Sequence, residues 1–546
     1  MNMQDQTAAK VTAWLATYGE PDACVAQLLC DRHDPASRAY RVIADDLSHR
    51  DLSYAELRRE SEKFAAVLQL LGAGPGSRVA TLMGKSREYL ITLMGIWRLG
   101  AVHVPLFTAF APPAIALRLN GSGAAVVVCD KGQRAKLMPG EDIPASPGWK
   151  VITTGAADDG ALSWASLMAD ARPGIAAAAV GGDAPLIHIY TSGTTGNPKG
   201  VIVPVRALAA FHAYAVFGFD LREDDVFWCA ADPGWAYGLY FGVLNTLQTG
   251  VASLLFEGGF SAEKTMAILA QQKVNNFAAA PTVYRSLLSS NVMPSAPLSL
   301  RCASSAGEPL TPEVNLWAEA ALGVTVHDHY GQTEAGMLIN NHHNPLVARP
   351  IEAGSMGQAM PGWSAVILKD ESDEPAETGE LGRLAFTLSE SPLAWFSGYD
   401  GNAEKTAEKF AGGGKWYLTG DTAIVDAKGY FRFSSRDDDV IIMAGYRIGP
   451  FEVESAMVTH PAVVEAAAIA VPDAVRGEVL EAYVVLAEGR EESPELEREI
   501  QQWVKTRFAA HAYPRAVHFI SAMPKTPSGK FQRFVLKQRR RQELGL

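Results

Sequence analysis

Hydrophobic positions in the first 330 residues alternate between short continuous apolar runs and longer stretches with helical spacing. Residues 78–83 and 124–129 are apolar runs of strand length, whereas residues 54–71 and 89–99 place apolar side chains every three or four positions. Buried strands that alternate with amphipathic helices are typical of parallel α/β architecture. We therefore predict an α/β fold for this part of the chain.

The pattern changes in the last third of the chain. Short alternating strands and turns dominate from about residue 340, and they predict a small β-rich lobe over residues 340–437. A polar run at residues 434–439 interrupts this pattern, and a compact α+β segment follows. Because 546 residues are too many for one hydrophobic core, we predict an N-terminal domain over residues 1–437 and a small C-terminal domain over residues 438–546.

Composition narrows the class of protein. The formal net charge of −12 argues against general nucleic-acid binding, which relies on a basic surface. No apolar run approaches the roughly 18 residues that a membrane-spanning helix requires, and residues 1–6 lack the features of a signal peptide. The five cysteines show no zinc-ligand spacing, which favours free thiols in a reducing compartment. We predict a cytoplasmic protein with neither a nucleic-acid partner nor a membrane span.

A loop rich in hydroxyl groups follows the apolar run at residues 184–189. It contains Thr191, Ser192, Gly193, Thr194, Thr195 and Lys199. Hydroxyls, exposed amides and an ammonium can bind phosphate oxygens, and glycine lets the backbone approach them closely. A flexible turn alone would need no such density of hydroxyls. The spacing does not match the Walker pattern, because the lysine is offset from its expected position.

This loop resembles the phosphate-binding motif of the AMP-forming adenylating superfamily, which includes acyl-CoA synthetases, stand-alone adenylation domains and luciferases. Further motifs follow in the order of that family over most of the chain, and acetyl- and medium-chain acyl-CoA synthetases are the most similar members. The resemblance implies a large N-terminal domain of two α/β subdomains plus the β-rich lobe. It also implies a mobile α+β lid at the C-terminus, with a hinge at Asp438.

The resemblance implies a two-step ligase reaction. A carboxylic acid reacts with ATP to give acyl-AMP and pyrophosphate, and the acyl group then passes to coenzyme A with release of AMP. The implied catalytic residues are Lys530, Glu334, Thr191 and Lys199, and Glu334 would hold Mg²⁺ with ATP. Ala444 and Gly445 would face coenzyme A.

The same resemblance implies the residues of the nucleotide site. Beside the phosphate loop, these are Gly307, Glu308, Pro309, Asp328, His329, Tyr330, Gly331, Gln332, Thr333, Asp421, Arg436 and Arg447. Tyr330 would stack on adenine, Asp421 would contact the ribose, and Arg436 would contact the same ribose or a phosphate. One departure is Ser435, where the family usually has glycine before the arginine.

The predicted acyl pocket is lined by Trp235, Ala236, Tyr237, Ala306 and Gly331. Acetyl-CoA synthetases carry a tryptophan at the position of Gly331, and its absence favours a short-to-medium-chain or aryl acid over acetate. Tyr237 could refill the space from the opposite wall, so acetate or propionate remains an alternative. A stand-alone adenylation enzyme that loads a carrier protein is another alternative, because Asp232 could bind a substrate ammonium.

Two further predictions concern a second metal and the partners. Val458, His460 and Val463 resemble a loop that holds a structural metal, but a helix that ends before Pro461 explains the same residues equally well. The expected partner is a small-molecule carboxylic acid, and homo-oligomer formation is left open. Because related enzymes are acylated at this motif, we also expect a lysine-modifying enzyme to act on Lys530.

Overall fold

A computed structural model describes residues 3–158, 160–191, 198–308, 310, 312–436, 439–443, 446–473, 477–508, 512–525 and 531–545. The chain divides into two compact units. The first comprises Met1–Ser192, Pro198–Ser364 and Leu388–Glu408, and the second is built mainly from Ala365–Thr387 and Lys409–Leu546.

The strands of the described residues are distributed along the whole chain. They are β1 (Arg38–Ile43), β2 (His49–Ser53), β3 (Arg78–Leu82), β4 (Val102–Pro105), β5 (Val126–Cys129), β6 (Lys150–Thr153), β7 (Leu162–Ser163), β8 (Pro185–Tyr190), β9 (Gly200–Pro204), β10 (Val226–Cys229), β11 (Ala252–Phe256), β12 (Asn276–Ala279), β13 (Cys302–Ala306), β14 (Val326–Gln332), β15 (Gly336–Asn340), β16 (Gln358–Ala359), β17 (Ala365–Leu368), β18 (Gly382–Thr387), β19 (Phe410–Ala411), β20 (Trp416–Val425), β21 (Phe431–Arg436), β22 (Ile441–Met443), β23 (Tyr446–Ile448), β24 (Val463–Asp473), β25 (Gly477–Leu486) and β26 (Ala516–Phe519).

The α-helices lie mostly between these strands. They are α1 (Met3–Tyr18), α2 (Tyr54–Leu70), α3 (Arg87–Arg98), α4 (Pro112–Ser122), α5 (Trp164–Asp170), α6 (Leu208–Ala213), α7 (Asn245–Thr249), α8 (Ala262–Gln271), α9 (Pro281–Ser290), α10 (Pro312–Ala321), α11 (Ala403–Ala407), α12 (Pro450–Val458), α13 (Pro494–Arg507) and α14 (Arg533–Glu543). Ser53 caps the N-terminus of α2, because its hydroxyl accepts a hydrogen bond from the Glu56 amide. Among the described residues, no helix combines the length and the apolar character of a membrane span.

The first unit contains two large sheets. A seven-stranded sheet has the order β7-β6-β5-β3-β4-β8-β9, in which only β9 runs antiparallel to its neighbour. The predicted apolar runs at residues 78–83 and 124–129 form its central strands β3 and β5, which are largely buried. Because parallel strands buried on both faces read as continuous apolar runs, the sequence located them without ambiguity.

The second sheet of this unit has nine strands in the order β16-β15-β14-β13-β12-β10-β11-β1-β2. Strands β14, β13, β12 and β10 are parallel, so their carboxyl ends lie along the same edge. Ligands of open α/β sheets bind outside the carboxyl ends of the strands. The predicted motifs that follow β10, β13 and β14 are therefore brought to one edge.

The second unit contains two five-stranded sheets. An antiparallel sheet joins β17, β18, β20, β19 and β21, whereas β22 to β26 form a sheet that packs with α12 and α13. Phe433 of the first sheet lies 6.1 Å from Phe451 of α12, measured between ring centroids. The predicted α/β fold class is confirmed, with a β-rich part and an α+β part in the C-terminal third. The predicted hinge at Asp438 lies outside the described residues, so the domain boundary stays a prediction.

Candidate active site

The phosphate loop connects the antiparallel pair β8 and β9. Tyr190 and Gly200 are register partners, and the Thr191 amide donates to the Lys199 carbonyl at 2.9 Å. The hydroxyl oxygen of Thr191 is buried and has no hydrogen-bond partner among the described residues. A phosphate oxygen would satisfy it. Four predicted phosphate contacts, Ser192, Gly193, Thr194 and Thr195, lie outside the described residues.

Glu334 follows β14 and is buried, with 8% of its surface exposed. The hydroxyl of Tyr399 donates to its Oε1 at 2.7 Å. The Nζ atom of Lys199 lies 4.5 Å from the centroid of the same tyrosine ring. Two of the predicted catalytic residues thus contact the same side chain: Glu334 accepts from the Tyr399 hydroxyl, and Lys199 faces the Tyr399 ring. Sequence reasoning missed Tyr399, because a tyrosine in a turn has no motif of its own.

The predicted adenine residues lie at the carboxyl ends of β13 and β14. Ala306 and His329 are register partners in these parallel strands. Gly307 comes next with φ 108°, a value that favours glycine. The side-chain amide of Gln332 donates to the Tyr330 hydroxyl at 3.3 Å. Side chains from two separate motifs therefore line the same edge, as a flat base would require.

Glu308 is held by a residue to which the sequence assigned no role. Its Oε2 lies 2.7 Å from Nη2 of Arg285 in α9, and both side chains are partly exposed. This contact fixes the glutamate at the end of β13. Pro309, which the resemblance also placed at the nucleotide, lies outside the described residues.

Asp328 is a partly buried carboxyl group at the same edge. Burial raises its pKa to about 7, although the Leu310 amide hydrogen bond acts in the opposite direction. Leu310 donates to its Oδ2 at 3.4 Å, which is a long hydrogen bond. Near neutral pH this group therefore exchanges between an acceptor and a form that can also donate.

Three histidines, His327 and His329 of β14 and His343 after β15, have ring nitrogen atoms within 4.8 Å of one another. The Asn341 carbonyl accepts from His327 Nδ1 at 2.7 Å and from His329 Nε2 at 3.0 Å. Burial holds the pKa of His329 far below its usual value, so its Nδ1 is unprotonated and accepts from the Tyr214 hydroxyl at 2.7 Å. His329 consequently has no nitrogen left for a metal.

The other two rings of this cluster are equally unsuited to sharing a metal. The centroids of His327 and His343 are 3.5 Å apart, and their planes differ by only 15°. A metal in the plane of one ring would lie outside the plane of the other. We interpret the cluster as a neutral hydrogen-bonded layer that supports the site.

The predicted acyl wall is an aromatic cluster in the first unit. The ring centroid of Trp235 lies 5.1 Å from Phe107 and 5.5 Å from Phe110. Its indole nitrogen is buried and has no partner within the described ranges. Ala236 follows it directly and is only partly exposed. Such a wall suits an apolar chain or ring.

Tyr237 is held on the opposite side by contacts with other aromatic residues. Its ring lies 5.4 Å from Phe241, and its hydroxyl lies 3.5 Å from that of Tyr214. Because Tyr214 already donates to His329, Tyr237 is the donor in this pair. The position of Tyr237 is therefore linked to the histidine layer.

Gly331 has a backbone reason to be glycine. The strands β14 and β15 change register between Tyr330 and Gly331. A Cβ atom at Gly331 would lie 2.2 Å from the Gly336 carbonyl oxygen and 2.8 Å from the Met337 Cα. A larger residue would therefore require β15 to move. The contact with β15 explains the glycine by itself, so its role in the acid pocket stays a prediction that a tryptophan substitution would not test cleanly.

In the second unit, Asp421 and Arg436 are register partners in β20 and β21. Nη1 of Arg436 lies 4.0 Å from Oδ1 of Asp421, and the carboxylate is largely buried. The two side chains are adjacent, as a shared ribose site requires. Arg447 lies in β23, but its side chain is outside what the structure describes, as are Asp438, Ala444, Gly445 and Lys530.

The predicted structural metal loop follows α12, which ends at Val458. Nδ1 of His460 accepts the Ala462 amide hydrogen at 3.2 Å, and its Nε2 lies 3.3 Å from Glu499 Oε1. The carbonyl of His460, not its ring, accepts from the Val463 amide at 2.9 Å. These contacts describe a hydrogen-bonded helix end, and the metal remains a prediction.

Comparisons with known proteins show to which family the chain is similar. The family model described as AMP-binding enzyme matches residues 32–392, and the model for its C-terminal domain matches residues 452–530. An acetyl-coenzyme A synthetase of Bacillus subtilis is 36% identical and covers 93% of this chain and 89% of its own length.

Solved structures show the same similarity. An acyl-CoA synthetase of Brucella canis has a TM-score of 0.75 and 41% identity, with full coverage of both chains. A benzoate CoA ligase of Burkholderia xenovorans has a TM-score of 0.81 and 29% identity, covering 94% of this chain and 99% of its own.

The chain belongs to the AMP-binding enzyme family. Within that family it is an AMP-forming acyl-CoA ligase, with ATP and coenzyme A as substrates, so the predicted enzyme class is confirmed.

Proposed function

We propose that this ligase activates a short-to-medium-chain or aromatic carboxylic acid, and that Glu334, Lys199 and Thr191 bind its Mg²⁺·ATP. The contact of Tyr399 with both Glu334 and Lys199 carries the assignment, because it brings a carboxylate and an ammonium together beside the phosphate loop. A stand-alone adenylation enzyme is not favoured, since the similar proteins include an acetyl-coenzyme A synthetase, an acyl-CoA synthetase and a benzoate CoA ligase.

The residues fit a magnesium ion by their chemistry. Mg²⁺ prefers one or two carboxylates together with substrate phosphates. Glu334 has one oxygen hydrogen-bonded to Tyr399, and a carboxylate has further lone pairs to offer. When bound, Mg²⁺ neutralises charge on the transferring phosphates.

The residues of the chain would act by positioning and charge, because the acid itself supplies the nucleophile. An acid oxygen attacks the α-phosphorus and pyrophosphate leaves. The Lys199 ammonium would attract phosphate oxygens, and the buried Thr191 hydroxyl would donate to one of them. Lys530 is the proposed second cation of this step, by family resemblance.

In the second half-reaction, the sulfur of coenzyme A attacks the acyl carbon and AMP leaves. Gly445 and Ala444 are proposed to approach the thiol, after rotation of the C-terminal domain about Asp438. Asp421 and Arg436 are proposed to hold the ribose in this reaction, since a buried carboxylate readily accepts hydroxyl hydrogens. The cytoplasmic location also stays a proposal.

The aromatic cluster supports the choice of acid. Trp235, Phe107 and Phe110 form an apolar wall, and Gly331 contributes no side chain. Each methylene buried there is worth about 0.8 kcal/mol, so a longer or aromatic acid gains more than acetate. The relatives act on different acids, since one is an acetyl-coenzyme A synthetase and another a benzoate CoA ligase.

The decisive experiment measures thioester formation with ATP, Mg²⁺ and coenzyme A across aliphatic acids of increasing length and aromatic acids. We expect kcat/KM to rise above its value for acetate by at least tenfold for the best longer or aromatic acid. A maximum at acetate or propionate would contradict the proposed acid class. Transfer to a carrier protein but not to coenzyme A would favour the adenylation alternative.

A further inference from the structure

Tyr399 contacts two of the proposed catalytic residues. Its hydroxyl donates to Glu334 Oε1 at 2.7 Å, and its ring centroid lies 4.5 Å from the Lys199 ammonium. Only 5% of the tyrosine and 8% of the glutamate are exposed. In such surroundings a hydrogen bond to a carboxylate is strong and directional.

The backbone of Tyr399 is anchored where the phosphate loop ends. Tyr399 forms an isolated β-bridge with Val201 in β9. The neighbouring Asp400 amide donates to the Gly200 carbonyl at 2.9 Å, and the Tyr399 amide donates to the Thr406 hydroxyl at 2.8 Å. The backbone that carries the Tyr399 side chain is thus held by β9 and by Thr406.

We infer that Tyr399 is a positioning residue that orients the Glu334 carboxylate and links it to Lys199, so that Mg²⁺ and ATP strengthen each other's binding. This inference rests on the proposed roles of Glu334 and Lys199. The hydroxyl holds one carboxylate oxygen and leaves the other to face a cation. Residues that orient metal ligands in this way typically change metal affinity by about 10- to 100-fold when they are replaced.

The test measures nucleotide binding without turnover. ATP is titrated calorimetrically into the full chain in the absence of acid and coenzyme A, with and without Mg²⁺. Tyr399→Phe should reduce the affinity gained from Mg²⁺ by about tenfold and change Mg²⁺-free ATP binding little. Tyr399→Leu should also weaken Mg²⁺-free binding, by about threefold, because the ring no longer faces Lys199.

Tyr284→Phe is the matched control. The Tyr284 hydroxyl is buried and donates to the Ser304 carbonyl at 3.0 Å, and so not to a carboxylate. This variant should lose a comparable hydrogen bond while keeping the full effect of Mg²⁺. Thermal unfolding of each variant shows whether the protein remains folded.

A double-mutant cycle with Glu334→Gln keeps the inference testable even if a single variant is destabilised. If Tyr399 acts through Glu334, Tyr399→Phe should have almost no further effect on the Mg²⁺ enhancement in the Glu334→Gln background. Additive losses would overturn the inference, as would an unchanged Mg²⁺ enhancement in Tyr399→Phe alone. If Glu334→Gln itself keeps the full enhancement, the proposed role of Glu334 fails, and the inference fails with it.

Discussion

Two sides of the candidate site are held in place by different forces. The acyl side, Trp235, Tyr237 and Gly331, is fixed by aromatic packing and by a close strand contact. The phosphate side, Thr191, Lys199 and Glu334, depends on a few polar contacts, chiefly those of Tyr399. Aromatic packing tolerates substitutions that conserve side-chain volume, whereas the stability of a buried charged group depends on each of its hydrogen-bond and ion-pair partners. Substitutions on the acyl side should therefore alter which acid reacts, and those on the phosphate side should alter whether it reacts.

The largest expected effect comes from Lys530→Ala, which removes the proposed cation of adenylation. Carboxylate-dependent pyrophosphate exchange should disappear, whereas thioester formation from supplied acyl-AMP should continue. The loss would assign Lys530 to the chemistry of the phosphate side. Equal loss of both half-reactions would refute this division.

Glu334→Gln should lower kcat for acyl-AMP formation by on the order of 100-fold, because the buried carboxylate no longer balances the cation. The order of preference among acids should not change. Pyrophosphate release measured across several acids checks both points. A changed acid preference would show that the two sides are not separable.

Gly331→Ala should destabilise the fold by about 1–3 kcal/mol, because its Cβ would overlap the Gly336 carbonyl and displace β15. Gly132→Ala is the control, since a Cβ there meets nothing within 4 Å. Denaturant unfolding of both variants measures the difference. Equal stability would mean that β15 adapts freely and that glycine is not required by the strand pair.

Tyr214→Phe should change the ratio of kcat/KM values between aromatic and short acids by about fivefold, because Tyr237 loses its hydroxyl partner at a cost of about 1 kcal/mol. The control is Tyr240→Phe, whose hydroxyl donates to the Thr333 carbonyl at 3.2 Å, on the phosphate side. That variant should leave the acid ratio unchanged. Equal shifts of the kcat/KM ratio in Tyr214→Phe and Tyr240→Phe would contradict the separation of the acyl side from the phosphate side.

The smallest expected effect is a pH dependence of folding stability that comes from Asp328. Its folded pKa of about 7 exceeds the value near 3.9 expected in the unfolded chain, so the native state binds more protons between these values. The contribution of this group to the free energy of unfolding is fully present at low pH and is lost as pH rises through 7. The loss is about 1 kcal/mol between pH 6 and 8. Asp328→Asn should remove that decline, and exposed Asp224→Asn should retain it. Denaturant unfolding at both pH values measures the change.

The sequence predicted the parts of this molecule whose physical signals are local. The apolar runs of β3 and β5 and the hydroxyl-rich loop can each be recognised from a few adjacent residues. It could not predict Tyr399 beside Glu334 or Tyr214 beside His329, because these partners are 65 and 115 positions apart. The same limit applies to the histidine layer, which two residues of β14 and one residue of the segment after β15 assemble.

From the sequence by itself, the resemblance of its motifs indicated the family and the enzyme class, and the pattern of apolar runs and helical spacing indicated the α/β architecture. Only the tertiary structure decided which side chains meet, because parallel strands bring the ends of distant segments to one edge of a sheet. Gly331 shows the difference most clearly. Its identity suggested the size of a pocket, but its conformation is imposed by a neighbouring strand that the sequence pattern alone did not place there.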